Sequence, residues 1–352
     1  MKLTFIAVSD PLFFQLVQIA IGRRERFDVA PDAAQWDALQ ADAVKQSVSG
    51  VLFHALDVLP EDQMPSRDQC RRWMMDRTKA VRRNALADQR TRELTAIFAE
   101  AGYKSAVLKG QGVARMYPDP TLRQSGDIDL WVPGGRERIL SFLKGRWPLR
   151  RPVYHHVEAR FFEDIEVEVH FLPAFMYNPF RNRKLQRWFD AQAAAWDMAG
   201  GEETGFRYPK PAFAAVFSLL HICKHIINEG VGLRQVMDHH YIMKALSEAE
   251  RDEVRRLSDS LGLTHLGEAL TYVEQTLFDS AGCPELFPPD PRRGARLLED
   301  ILLSGNFGHA DTRKGGLVAR FFRFAADYPS EVLWSPVWKT WHLAWRKCKG
   351  YL

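Results

Sequence analysis

Residues 106–132 read AVLKGQGVARMYPDPTLRQSGDIDLWV, and this stretch decides the fold. An apolar strand ends at Lys109-Gly110, a short helix follows, and a second apolar strand opens with Asp127-Ile128-Asp129. Positions i and i+2 of a strand point to the same face, so we expect the two aspartates to project side by side. Two close carboxylates repel each other unless a cation lies between them. Mg²⁺, or Mn²⁺ in its place, suits such oxygen ligands and leaves positions open for water and phosphate.

A third carboxylate is expected from residues 163–172, which read EDIEVEVHFL. Glu166, Glu168 and His170 alternate with apolar residues, which predicts a strand with one apolar face and one polar face. If this strand lies in the same sheet as the first acidic strand, Glu168 meets the two aspartates. Such a trio can hold two metal ions roughly 3.5–4 Å apart, an arrangement that suits nucleotidyl transfer. Glu166 shares the face of Glu168 and is the competing candidate for the third ligand.

Further motifs are spread over residues 100–310. They are Leu108-Lys109-Gly110, Tyr117-Pro118, Arg123, Gly126-Asp127-Ile128-Asp129-Leu130, His155-His156, Glu168-Val169-His170, His221, His225, Leu233-Arg234, Asp238 and Gly305-Asn306-Phe307-Gly308. As a set, these motifs resemble the bacterial family of uncharacterised nucleotidyltransferases, within the DNA polymerase β-like nucleotidyltransferase superfamily. The resemblance implies an α+β fold, in which N-terminal and C-terminal helical regions flank a small mixed-sheet nucleotidyltransferase core.

The resemblance also implies an activity. The enzyme would move a nucleoside monophosphate from an NTP, expected to be ATP, to an acceptor and release pyrophosphate. The acceptor would be a small molecule, a peptide or a protein. Nucleic acid is not expected as a partner, because a formal charge of +4 is small for 352 residues.

Residue roles follow from the same resemblance. Asp127, Asp129 and Glu168 would be the catalytic, Mg²⁺-holding acids. The nucleotide would be bound by Lys109, Gly110, Arg123 and Gly126. The remaining candidates for the substrate cleft are His156, His170, His221, His225 and Arg234. The sequence departs from the superfamily at two places, because Lys109-Gly110 stands where Gly-Ser is usual and Glu168 where Asp is commoner.

Several of these residues also have a structural interpretation. The alternative for Arg123 is a salt bridge that only neutralises the aspartates, and Arg234 is spaced i, i+4 from Asp238 for an intrahelical ion pair. His155 and His156 are adjacent in a predicted strand, so at most one of them is expected to face the site.

The histidines at positions 221 and 225 share one face of the helix AAVFSLLHICKHII. Their spacing suits zinc, but no glutamate stands in the HExxH position and no third ligand is evident. We expect a pair that lines the cleft, with a buried pair that has no catalytic role as the alternative.

Three other interpretations of function remain open. Gly110-x-Gly112 resembles a dinucleotide-binding turn, although Arg115 stands where the third glycine should allow close helix packing. Arg234 and His239 match the Arg-x4-His pattern of HEPN-type ribonucleases, which need no metal. Finally, the Lys-Gly turn is compatible with a catalytically degenerate nucleotidyltransferase fold that binds a nucleotide or a protein partner without turnover.

Hydrophobic periodicity and breakers predict four regions. Residues 1–102 form an N-terminal helical region that ends in a long helix over 68–102. Residues 103–175 form the core, with strands near 104–109, 127–132, 153–162 and 165–172 and helices over 111–117 and 135–145. Residues 176–210 are a linker rich in proline and glycine, and residues 211–352 form a C-terminal helical domain that is interrupted at Gly282-Cys283-Pro284 and at residues 288–291.

Composition is that of an ordinary globular protein, with 46% hydrophobic and 26% charged residues. Cys70, Cys223, Cys283 and Cys348 lie far apart and indicate reduced thiols in a cytoplasmic protein. The apolar N-terminus is expected to form an amphipathic helix rather than a targeting signal. No stretch is expected to reach the roughly 18 apolar residues that span a bilayer.

The last helix carries an aromatic stripe. Trp334, Trp338, Trp341 and Trp345 follow helical spacing beside Lys339, Arg346, Lys347 and Lys349. We expect the tryptophans to pack this helix onto its own domain. Docking on a membrane or an acidic partner is the alternative.

Overall fold

The computed structural model describes residues 11–279, 285–311, 313 and 316–351. Its fold is mixed α+β, with a small mixed sheet between helical regions, as the sequence predicts. The predicted N-terminal amphipathic helix is described only from Pro11, and the predicted break at Gly282-Cys283-Pro284 lies outside the described residues. The cysteines within them, Cys70, Cys223 and Cys348, are free thiols.

From residue 11 onward, the N-terminal region consists mainly of the helices α1 (Pro11–Ala20), α2 (Ala33–Lys45), α3 (Ser49–Leu52), α4 (Ala55–Val58) and α5 (Arg67–Glu100). Helix α5 corresponds to the predicted long helix, and Ser66 with Gln69 closes its N-terminus as a capping box. Asn84, near its middle, donates from Nδ2 to the carbonyl oxygen of Thr121. The helix therefore holds the loop that leads into the acidic strand.

The core is a four-stranded sheet with short helices between its strands. Its elements are β1 (Ala106–Val107), α6 (Gln111–Ala114), β2 (Ile128–Trp131), α7 (Arg136–Leu143), β3 (His156–Glu158) and β4 (Val167–His170). The strand order is β1-β2-β4-β3, in which β2 and β4 are parallel and the outer pairs are antiparallel. Parallel pairing needs a long crossover, and α7 with β3 lies within it.

The apolar face of the sheet packs on the N-terminal region. Ile128 and Leu130 of β2 and Val167 of β4 are buried in one cluster with Phe98 of α5. Strand alternation then turns the residues between them to the opposite face. The polar face of β2 and β4 is thereby directed toward the helices that follow.

The segment predicted as a linker, residues 176–210, contains regular structure. It forms helix α8 (Pro179–Ala195) and an antiparallel hairpin of β5 (Met198–Gly201) and β6 (Phe206–Pro209). The hairpin lies against α6 so closely that a Cβ on Gly112 would come 2.7 Å from the Cβ of Tyr208. The prolines and glycines of this segment belong to a helix cap and to tight turns, not to an unstructured connection. The domain boundaries themselves stay a prediction.

Helices make up the described remainder of the chain. They are α9 (Pro211–Asn228), α10 (Leu233–Ala245), α11 (Glu248–Leu261), α12 (Thr264–Phe278), α13 (Pro291–Ser304), α14 (Gly316–Phe324) and α15 (Pro329–Cys348). The expectation that no stretch reaches spanning length is wrong, because α9 is long and apolar enough by length and composition. Helix α9 is mostly buried and contacts α10, α11 and α14, which is the position of a core helix.

The aromatic stripe of α15 packs onto the core. The ring of Trp338 stacks on Phe175 with centroids 4.4 Å apart, and Trp341 and Trp345 meet the ring of Tyr154 edge-on. Arg136 lies over the Trp345 ring. These contacts support the packing interpretation of the stripe.

Candidate active site

The register of β2 and β4 brings two acids together. Asp129 pairs with Glu168 across the two parallel strands. Asp127 precedes β2, and its Oδ2 lies 3.5 Å from the Nζ of Lys109, while Asp129 Oδ2 lies 3.0 Å from the same atom. The two aspartates therefore face one point, as the i, i+2 spacing predicts. The cation between them in this structure is the ammonium of Lys109.

Lys109 was predicted to meet phosphate, and in the structure its charge is directed at the acids. Burial alone would lower the pKa of Lys109, but the charges of Asp127 and Asp129 raise it. Gly110 follows with φ +61° and ψ −115°, a conformation that favours glycine. This turn lets the chain reverse from β1 into α6 beside the acids.

His170 bridges the two paired acids. Its Nε2 lies 3.1 Å from Asp129 Oδ1 and 3.2 Å from Glu168 Oε2. Burial lowers the pKa of His170, but these hydrogen bonds outweigh burial and raise it to about 9. Burial in turn raises the pKa of Glu168, but the hydrogen bond with His170 and the nearby imidazoles lower it to about 2. His170 is thus held as an imidazolium between two carboxylates.

Both neighbouring histidines reach the site, so the expectation that at most one would do so is wrong. His156 Nδ1 lies 3.1 Å from His155 Nε2 and 3.3 Å from Glu168 Oε2. Strand β3 begins at His156, so the alternation of faces within a strand does not apply to His155. Burial lowers the pKa of His156 to about 3 and that of His155 well below its usual value.

Arg123 pairs with neither aspartate of the acidic strand. It forms a buried bidentate salt bridge with Asp238 on α10, with Nε–Oδ1 and Nη2–Oδ2 distances of 2.7 Å. The hydroxyl of Tyr117 donates to the same carboxylate at 2.6 Å. The third nitrogen of Arg123, Nη1, is buried without a hydrogen-bond partner. That group is free to donate to a ligand.

Arg234 is a second buried guanidinium beside Arg123. The expected ion pair with Asp238 is not formed. Instead, Arg234 Nη1 donates to the carbonyl oxygen of Gln124 at 3.1 Å, and the guanidinium lies over the ring of Phe307. Burial and the charge of Arg123 lower its pKa. Among the described residues no carboxylate pairs with Arg234, so a buried positive charge is left for an anion.

Two adjoining cavities meet at Lys109 and Asp127. The narrower one is lined by Arg123, Gly126, Arg234 and Phe307 together with Lys109, Gly110 and Asp127. The wider one, of about 570 Å³, is lined by Asp129, Glu168, His155, His156, His170, His221 and His225. The ring centroids of His221 and His225 are 4.2 Å apart, and a role of this pair in the cleft stays a prediction. Glu166 is exposed and lines a different cavity, so it is separated from the acids.

The structure places Lys224 and Asp238 at the site, although the sequence did not predict a role there for either residue. Lys224 lines the wider cavity, and its Nζ lies 3.1 Å from His155 Nε2. Its signal was a lysine inside the otherwise apolar helix α9, where a charge is costly without a purpose. Asp238 as the partner of Arg123 had no local signal, because 115 residues separate them.

The dinucleotide and ribonuclease alternatives do not agree with the geometry. Arg115 forms a salt bridge with Asp88 of α5, and the sheet is mixed rather than doubly wound. His239 contacts Ser218 and lines a cavity distinct from that of Arg234, so the two residues do not form a pair.

A small mixed sheet with paired acids on one face, next to a cavity with two buried arginines, is the arrangement of a nucleotidyltransferase domain. The sequence profile described as "uncharacterised nucleotidyltransferase" matches residues 32–279, and the chain belongs to this family. No curated protein matches the chain significantly. Family membership identifies the class of protein but not its substrates, which have to be inferred from the site.

Proposed function

We propose that the protein transfers a nucleoside monophosphate from an NTP, with ATP as the expected donor, to an acceptor and releases pyrophosphate. The acceptor is a small molecule, a peptide or a protein. One observation carries this proposal: Asp127 and Asp129 converge on one point, with Glu168 in register beside them, at the junction of two cavities. The acids would bind the metal, the narrower cavity with its two arginines would bind the NTP donor, and the wider cavity would bind the acceptor.

The acids suit Mg²⁺, with Mn²⁺ as the alternative. Carboxylate oxygens are the donors that Mg²⁺ prefers. Asp129 Oδ2 is buried, and the Lys109 ammonium 3.0 Å away marks a place where positive charge is stabilised. Asp127, Asp129 and Glu168 would hold the metal. When bound, it would supply charge neutralisation for the triphosphate and activation of the acceptor oxygen.

The protein's own cations would bind and orient the triphosphate. Arg234 has no carboxylate partner in the described chain, and Arg123 Nη1 lacks a hydrogen-bond partner. Phosphate oxygens would supply both, and guanidinium groups suit phosphate geometry. As the pyrophosphate leaves, these donors would stabilise the charge that develops on it. Gly126 lines the same cavity as these two arginines.

A second candidate function is a nucleotide-binding protein without turnover, and Lys109 favours it. The Lys109 ammonium lies within 3.5 Å of both aspartates and offsets part of their negative charge without a metal. In that case, the NTP would bind to the arginines without a metal. The two candidates therefore differ in whether Mg²⁺ changes NTP affinity.

The test is calorimetric titration of each NTP into the purified protein, with and without Mg²⁺, together with an assay for pyrophosphate release. The variants are Asp129→Asn and, as a matched control, Glu166→Gln, which neutralises an exposed acid just before β4. We expect Mg²⁺-dependent binding of one NTP that is lost in Asp129→Asn and retained in Glu166→Gln. NTP binding that is unchanged by Mg²⁺ and by Asp129→Asn would support the second candidate function. No binding of any NTP would contradict both candidate functions.

A further inference from the structure

Three imidazoles converge beside Glu168 in the wider cavity. The histidines 155, 156 and 170 each offer one ring nitrogen, and these atoms lie within 4.8 Å of one another. Their ring centroids are 4.4 to 5.5 Å apart. We name this group, with Glu168, the histidine cluster. In nucleotidyl transfer as proposed above, none of the three imidazoles is required to hold Mg²⁺.

The carboxylate of Glu168 completes the cluster. Its Oε2 is 3.3 Å from His156 Nδ1 and 3.2 Å from His170 Nε2, and His156 Nδ1 is 3.1 Å from His155 Nε2. Nitrogen and oxygen donors bound to zinc at about 2.0–2.1 Å in a tetrahedron are about 3.3–3.4 Å apart. Three donor-atom separations, from His156 to His155 and from Glu168 to His156 and to His170, are therefore already close to the edge length of one coordination shell.

We propose that the histidine cluster binds a divalent transition-metal ion, Zn²⁺ or Co²⁺ in preference to Mg²⁺, through His155, His156, His170 and Glu168. Three imidazoles and one carboxylate suit zinc and cobalt, whereas Mg²⁺ selects oxygen ligands. The wider cavity opens onto the cluster and gives an ion access. The ion takes the place of the contact between Lys224 Nζ and His155 Nε2, and its binding displaces the proton through which His170 Nε2 contacts Asp129 and Glu168. This site shares Glu168 with the proposed nucleotidyl transfer and contacts Asp129 through His170, whereas Asp127 lies outside its ligand set.

The test uses the metal alone, without nucleotide. Metal-free full-length protein is titrated with Co²⁺ while its visible d–d bands are recorded, and bound metal is counted after dialysis. We expect one Co²⁺ per chain, displaced by Zn²⁺ and not by Mg²⁺. His156→Ala should weaken binding by at least about 10–100-fold, the range for losing even a supporting partner of a ligand. The control is His225→Ala, which removes an imidazole from the same cavity outside the cluster.

Wild-type protein provides a second measurement that does not depend on the folding of a variant. Cu²⁺ bound at the cluster should show electron-spin couplings to imidazole nitrogens. Absence of nitrogen couplings, displacement of Co²⁺ by equimolar Mg²⁺, or equal weakening by His225→Ala and His156→Ala would each overturn the proposal. Asp127→Asn separates the two functions, because it should abolish Mg²⁺-dependent NTP binding and leave Co²⁺ binding intact. Failure of NTP binding alone would leave the metal proposal standing.

Discussion

Replacing Asp238 by asparagine tests the buried ion pair that holds Arg123 beside the narrower cavity. The carboxylate accepts two hydrogen bonds from Arg123 at 2.7 Å and one from Tyr117 at 2.6 Å. Only 5% of the Arg123 side chain is exposed, so water cannot replace the lost charge. Removing one partner of such a pair costs about 3–5 kcal/mol, because the other charge stays buried and uncompensated. Arg234, another buried cation, lies nearby and adds repulsion.

The assay is urea unfolding followed by tryptophan fluorescence, on Asp238→Asn, Arg123→Met and the double variant. We expect each single change to lower the free energy of unfolding by about 3 kcal/mol or more. In the double variant both charges of this ion pair are gone, so the combined loss should be smaller than the sum by about 2–3 kcal/mol. Losses that add within about 0.5 kcal/mol would refute the reasoning, because independent sites behave that way.

Two further predictions concern stability. His170 has a folded-state pKa raised from 6.5 to about 9, so its contribution to stability is fully present below about pH 6.5 and is lost as the pH rises through about 9. The difference in unfolding free energy between wild type and His170→Asn should therefore shrink by about 3 kcal/mol across that window, and a difference independent of pH would contradict this. Gly112→Ala should cost about 1–3 kcal/mol, because its Cβ would lie 2.7 Å from Tyr208 Cβ and 2.9 Å from the Val107 oxygen. Urea unfolding measures this cost, and a decrease in unfolding free energy below about 0.5 kcal/mol would show that the β5–β6 hairpin shifts to accommodate the added methyl group.

Much of the core was readable from local patterns. Strand alternation predicted that Asp127 and Asp129 share a face, and both contact the same Lys109 nitrogen. Apolar periodicity predicted the long helix α5 and all four core strands, although β1 and β3 are much shorter than predicted. These features depend only on the period of a strand or a helix, which neighbouring residues fix.

Other features were misread because the local signal was incomplete. Proline and glycine at residues 176–210 suggested a linker, although they also suit the cap of α8 and the turn of the β5–β6 hairpin. His155 was assigned to a strand that begins one residue later. Helix α9 was not recognised as reaching spanning length, because its polar residues interrupt the apolar run without lowering its mean hydropathy enough.

Local sequence patterns were enough to show which faces of the strands are acidic and that a small α/β core lies between helical regions. Which charges meet depends instead on the packing of distant segments. The parallel register of β2 and β4 sets Glu168 beside Asp129 and leaves Glu166 outside. Asp238 forms its salt bridge with Arg123, so Arg234 has no carboxylate partner among the described residues. Local periodicity fixes the direction of a side chain, but its partner depends on how distant segments pack, and no local pattern encodes that.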